Sequence, residues 1–150
     1  MKDVARDINN YLNQYIQLID AKAGAVVAAS LVIIGLGISD QAKNAEPLMR
    51  LAGVVAAGVS GVLGGLVVLP RTPHSGNGHI FWADIRNFDS AESYWKSLRS
   101  MDDDSVGREY ARQNYFVSLV LLRKSATARQ AIIWLAVSCL LLSLAVGIGK

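Results

Sequence analysis

Asp20 and Lys22 stand at the head of LIDAKAGAVVAASLVIIGLGIS, residues 18–39, where every later side chain is small or apolar. Charges so near an apolar run are costly unless solvated or paired. Two positions apart on a helix, they point to different faces and cannot form a simple surface pair. Lys22 has the length to snorkel toward lipid headgroups. Asp20 does not, and needs a partner. LLRKSATAR, which leads into the last apolar run, offers Arg123, Lys124 and Arg129, with Lys124 first among them. Such a pair has two open roles: fixing helix register, or switching the coupling between polar and apolar segments.

Other residues that could do chemistry are sparse. His74 and His79 are the only histidines, both read as loop residues, and no second ligand cluster for zinc accompanies them. Asp102, Asp103 and Asp104 suit the positive end of a helix and need no metal. No Gly-rich phosphate loop follows a strand and there is no nucleophile elbow, so the expectation is a non-enzyme without metal or cofactor. Cys139, the single cysteine, excludes an intramolecular disulfide and reads as a small packing residue.

The elements that position these residues follow from three apolar blocks, about 22–39, 48–69 and 130–149. Each matches the roughly 17 to 25 residues that cross a bilayer. Residues 51–69 carry only Ser60 as a polar side chain, whereas a soluble helix keeps a polar face. The first block follows about twenty mixed residues, which excludes the plan of a cleavable signal peptide. Lys and Arg divide unevenly across the spans. Of the 15, twelve belong to the N-terminal part and the central segment, and only Lys43, Arg50 and Lys150 to the other side. The positive-inside rule then puts the N-terminus and 70–129 in the cytoplasm and the C-terminus outside. The net charge of +3 is mostly this bias, and no nucleic-acid motif accompanies it.

Val4, Ile8, Tyr11 or Leu12, Tyr15, and Leu18 or Ile19 keep a helical rhythm, so one helix runs from about Asp3 through the first span. Its length is on the order of 50 Å, more than a bilayer core. SDQAKNAEP is a polar turn, and Pro47 suits the first turn of the second span. Gly53, Ala57, Gly61 and Gly65 repeat every four residues, beside the parallel row Ala56, Ser60 and Gly64. Small residues so spaced let helix backbones approach closely in lipid, within one protomer or between protomers. Pro70, Pro73, Gly76 and Gly78 mark a loop. IFWADIRNF and DSAESYWKSLRS predict two short helices, with Asp89 and Glu92 at capping-box spacing. A last helix begins near Ser105 and continues through the third span. The fold expected is an all-α integral membrane protein with three transmembrane helices, read as a single domain over 1–150. Its first and third helices extend into a cytoplasmic helical module of 1–21 and 70–129, with a short helical insert between the second and third spans.

YIQLIDAKAGAVVAASLVIIG resembles the D-x-K-A opening of the Pycsar effector transmembrane family, and FWADI resembles its aromatic-x-D-I segment. Tyr94, and Glu109, Gln113 and Lys124 within REYARQNYFVSLVLLRKSATARQA, are similar to its later polar part. The resemblance implies an antiphage effector of the bacterial inner membrane. It would respond to cyclic UMP or cyclic CMP from a pyrimidine cyclase and impair the membrane. Implied partners are lipid, further copies of the chain and the cyclic nucleotide, with no nucleic acid. A cyclic phosphate calls for Arg and a pyrimidine for an aromatic face. Arg86, Arg99, Arg108 and Arg112 with Trp82, Tyr94, Trp95 and Tyr110 are the candidates; packing and surface solvation are their plainer roles. The alternative function is a passive anchor that recruits a soluble partner.

Overall fold

The computed structural model describes residues 2–39, 42, 44–70 and 78–149, and, for Trp82, the backbone alone. Asp40, Gln41, Lys43, Arg71, Pro73, His74, Gly76 and Lys150, which figure in the turn, loop and charge readings above, lie outside the described residues. The described residues form five helices and no strand: α1 Lys2–Ile38, α2 Pro47–Val68, α3 Trp82–Ile85, α4 Ala91–Arg99 and α5 Asp103–Ile148. Three of them, α1, α2 and α5, are long and apolar enough to cross a membrane.

Local chemistry sets the helix starts. Glu46 accepts from the Leu48 and Met49 amides at 3.2 and 2.6 Å, and Pro47 follows at the first helical position. At α4 the expected box of Asp89 and Glu92 is displaced by one residue. Ser90 Oγ accepts from the Ser93 amide at 3.1 Å while Ser93 Oγ accepts from the Ser90 amide at 3.2 Å. A short hydroxyl on each partner closes the box that Glu92 was expected to close. The helix expected over IFWADIRNF is one turn, α3, followed by bends.

The chain divides into two compact units, one of 1–17 and 70–123, the other of 18–69 and 124–150. In the first, α1 contributes Ala5, Asn9, Leu12 and Ile16 to its inner face, and α5 contributes Tyr110, Asn114, Val117 and Leu121. These are steps of four and three residues, the heptad spacing of packed helices. Asn9 is buried at the seam. Its Nδ2 donates to Asn114 Oδ1 at 2.9 Å, and Asn114 Nδ2 donates to the Ala5 carbonyl at 2.8 Å. A polar pair at a seam position fixes register, because any slip leaves both amides unpaired.

In the second unit the same spacing recurs. α1 buries Ile19, Ala23, Val26, Ser30 and Gly37, α2 buries Gly53, Ala57, Ser60, Gly64 and Val67, and α5 buries Lys124, Ala131, Ser138 and Ala145. Its hydroxyls join the helices. Ser60 Oγ donates to the Ala131 carbonyl at 2.7 Å, and Ser138 Oγ donates to the Gly53 carbonyl at 2.7 Å. Ser30 Oγ stands 2.8 Å from the Val26 carbonyl and 3.2 Å from Ser60 Oγ. Its single proton serves one of these at a time. Cys139, next to Ser138, is exposed rather than packed inward as expected, because Ser138 occupies the inward position.

Gly53 meets Leu142, and Ala57 is fully buried. A Cβ on Gly61 would stand 3.4 Å from Ser30 Cβ, and one on Gly65 would meet nothing within 4 Å. Each four-residue step turns about 40° beyond a full rotation at 3.6 residues per turn, so a pure four-residue row winds off the packed face. Ser60 and Gly64 stay on it because they continue from Gly53 and Ala57 by alternating steps.

Candidate functional site

In the second unit, Lys124 Nζ lies 2.6 Å from Asp20 Oδ1. The Lys124 side chain is 4% exposed and that of Asp20 31%. Lys124 occupies the α5 seam, whereas Asp20 stands beside the Ile19–Ala23 seam of α1. The cation is therefore the more sequestered partner, and the carboxylate keeps some access outward. Lys22 is exposed, in keeping with its different helix face.

In the first unit, His79 is held from two helices, α4 and α5. Its amide donates to Glu109 Oε2 at 2.8 Å, and its Nδ1 lies 2.6 Å from Glu109 Oε1. Its Nε2 lies 2.7 Å from Ser97 Oγ, and its carbonyl accepts from Tyr94 Oη at 2.7 Å. A carboxylate only accepts, so Nδ1 carries a proton. The ring also packs with Phe88 and Tyr94 at centroid separations of 5.3 and 6.3 Å, and those two meet edge-on at 5.1 Å. His79 is a loop residue, as expected, but its ring and backbone are a hub that sequence reasoning passed over. Tyr94 and Ser97 lie one turn apart on α4, but no spacing in the sequence ties them to His79 or to Glu109 on α5.

Ser97, His79 and Glu109 have the donor–acceptor order of a hydrolytic triad. Catalysis also needs donors aimed at an oxyanion beside the nucleophile. Ser97 sits in the last turn of α4, where backbone amides serve the helix ladder, and the neighbouring cavity does not reach it. The trio thus has the geometry of a lock tying the segment after residue 78 to α4 and α5. That cavity, about 20 Å³ and wide enough for one water, is lined by Gly78, Ile80, Phe81, Asp84, Glu109, Arg112 and Gln113. Asp84 is fully buried there.

The eight candidate ligand residues scatter around this hub. Tyr94 joins it through the His79 carbonyl, and Arg112 lines the cavity beside Glu109 and Gln113. Tyr110 is half-buried, Arg86 and Arg99 are exposed, and Trp95 is exposed on α4. Arg108 is exposed and pairs with Asp104. The side chain of Trp82 lies outside the described residues. A larger cavity of about 450 Å³ at the starts of α1 and α5 carries Lys2 and Arg108 but also Asp3, Asp103 and Asp104. Three carboxylates oppose a phosphate diester there. Among the described residues no group of three or more His, Cys, Asp or Glu is placed to hold a metal.

Asp84, Tyr94, Glu109 and Gln113 come from the segments that carried the family resemblance, and they gather around one hub. The Pycsar effector protein SaPycTM of Staphylococcus aureus is 28% identical over 140 residues, which cover 89% of this chain and 88% of that protein. No solved structure matches the chain. The family model of the Pycsar effector protein domain matches residues 4–149, and the chain belongs to this family of antiphage defence effectors.

Proposed function

We infer that the protein is an inner-membrane effector that responds to a cyclic pyrimidine mononucleotide, cyclic UMP or cyclic CMP, by impairing the membrane. Growth of the infected cell then stops. The observation that carries this reading is that α1 and α5 each join a polar stretch to a membrane-length apolar stretch without a break, with Asp20 and Lys124 paired at the head of the apolar parts. Such helices give a ligand bound to the polar stretches a covalent route to the spans. The excess of Lys and Arg in the N-terminal and central segments supports a cytoplasmic location for both, with the C-terminus outside. The polar unit would take the nucleotide; of the eight candidates Arg112 and Tyr94, which stand at the His79 hub, are the first phosphate and base partners to test. Three thin helices enclose no pore, so membrane damage requires several copies.

Co-expression with a pyrimidine cyclase, with membrane potential followed by a voltage-sensitive dye, tests the reading. Depolarisation that needs both the cyclase's activity and this chain is the expected result. Normal potential and growth while the cyclic nucleotide accumulates would overturn it.

A further inference from the structure

A groove opens in the second unit, at the end of the spans away from Asp20 and Lys124. There α1 ends at Ile38, α2 begins at Pro47 and α5 ends at Ile148, and the Glu46 amide donates to the Ala145 carbonyl at 2.9 Å. Ile33, Leu36 and Gly37 of α1 line one side. Cys139, Leu142, Ser143 and Val146 line the other, at the i, i+3, i+4 and i+7 positions of one α5 face. Ala42, Ala45 and Arg50 complete the lining. The volume is about 430 Å³, within the roughly 300–1,000 Å³ of small-ligand sites. Arg50 is the one charged residue of the lining among the described residues.

We propose that this groove holds a membrane phospholipid with an anionic headgroup, its phosphate on Arg50 and the first part of one acyl chain between α1 and α5. Three observations favour this occupant. The first is level. Arg50 Nη1 donates to the Ala42 carbonyl at 2.8 Å, so the guanidinium stands beside the turn between the spans, at headgroup height, rather than in the apolar depth. The second is charge. A planar guanidinium presents five N–H donors in a fork that matches a phosphate. No ion pair among the described residues includes Arg50. Glu46, one turn earlier, turns its carboxylate to the Leu48 and Met49 amides and does not line the groove. The third is the apolar lining below Arg50, which suits a hydrocarbon chain and offers little to a soluble anion.

From Cys139 to Val146 the α5 side rises about 10 Å, so only the chain segment next to the glycerol is enclosed and the rest joins the bilayer. A zwitterionic headgroup would add a cation with no carboxylate in the lining to receive it, which favours an anionic one. The site rests on the three spans alone. It needs no response to a nucleotide, so it and the effector reading can fail separately.

The test uses the full chain in mild detergent, given mixed micelles of phosphatidylglycerol or phosphatidylcholine. Native mass spectrometry counts the lipids retained, and the melting midpoint is followed as lipid is added. The expected result is one phosphatidylglycerol per chain, retained several-fold better than phosphatidylcholine, with a midpoint that rises with phosphatidylglycerol. Glycerol phosphate, the same anion without a chain, should give no rise. Arg50→Gln removes the charge and Ser143→Phe fills the groove, and each should cut retention several-fold and abolish the rise. Arg50→Lys should keep part of both. Leu140→Phe, exposed on α5 but outside the lining, should bind as the parent does. Each rise is read against the variant's own lipid-free midpoint, so lower basal stability does not imitate lost binding, and Ser143→Phe decides if Arg50→Gln does not fold. Equal retention of the two lipids, parent-like retention in Arg50→Gln or Ser143→Phe, or a rise with glycerol phosphate alone would overturn the proposal.

Discussion

The Lys124 ammonium, 4% exposed, is held 2.6 Å from the Asp20 carboxylate, which keeps 31% of its side chain exposed. The two partners therefore do not tolerate loss of the other equally. Without Asp20 a buried cation has no counter-charge, whereas without Lys124 a partly exposed carboxylate can recruit water. Breaking a buried pair from its costly side is worth about 3–5 kcal/mol as an upper range. Asp20→Asn should therefore destabilise the protein in detergent more than Lys124→Gln. Lys124→Met should be milder still, because it removes the charge and keeps the volume. The exchanged protein, Asp20→Lys with Lys124→Asp, should recover part of the loss in both stability and effector activity. Equal losses for Asp20→Asn and Lys124→Met would refute the asymmetry, and an exchange no better than either single reversal would refute a direct pair.

Neighbouring glycines on α2 should behave oppositely. A Cβ on Gly64 would stand 2.9 Å from Val27 Cγ2 and 3.2 Å from the Ala23 carbonyl, while one on Gly65 meets nothing within 4 Å. Gly64→Ala must push α1 and α2 apart, at a cost of about 1–3 kcal/mol. The expected result is a melting midpoint several degrees lower for Gly64→Ala, with Gly65→Ala close to the parent. If Gly65→Ala proves the more harmful, its face is a contact with another molecule and the buried seam is not the critical one.

Three apolar blocks, the unbroken polar extensions of the first and last, and the partner of Asp20 could all be read from the chain. Length and hydropathy decide the first two, and the cost of a lone carboxylate beside lipid leaves few choices for the third. The α2 packing face was harder because two rows of small residues overlap. A four-residue repeat catches the eye, but only alternating steps remain on one side of a helix, so Ser60 and Gly64 are inside where Gly65 is not. The His79 hub was hidden for another reason. Its bonds reach 15, 18 and 30 residues along the chain, and no periodicity links a loop histidine to a glutamate on a later helix. The seam amides Asn9 and Asn114 were similarly masked, because an asparagine reads as a solvated residue until its partner is known.

Glu109 binds His79 through both carboxylate oxygens, so graded substitutions should loosen the hub in steps. Glu109→Gln keeps one acceptor oxygen and loses one of the two bonds. Glu109→Ala loses both and leaves the half-buried His79 amide and Nδ1 unpaired. At about 1–1.5 kcal/mol per bond, exchange of the His79 amide should quicken roughly tenfold in the first variant and further in the second. Ser97→Ala should have a smaller effect, since it removes a single contact at Nε2. Hydrogen exchange by NMR or mass spectrometry over residues 78–81 provides the measurement. Unchanged protection in Glu109→Ala would show that the segment is held by the aromatic packing alone.

The start of α5 should depend on pH in a definite direction. Asp102 accepts from the Ser105 amide at 2.9 Å, and bonds from the Ser105 hydroxyl first and its amide second hold the carboxyl below its ordinary value of 3.8. A depressed carboxyl contributes its stabilisation above the unfolded value and loses it as pH falls through the folded one. The cap should therefore be intact at neutral pH, persist just below 3.8, and fail on further acidification. Exchange of the Ser105 and Val106 amides, corrected for intrinsic rates, should rise only in that acid range. Asp102→Asn keeps a neutral acceptor at the cap, so its protection should no longer change with pH there. Asp102→Ala should show weak protection at every pH, because the Ser105 amide then has no capping acceptor. A parent protein whose Ser105 amide loosens instead between pH 5 and 7 would place control of this helix start on another group.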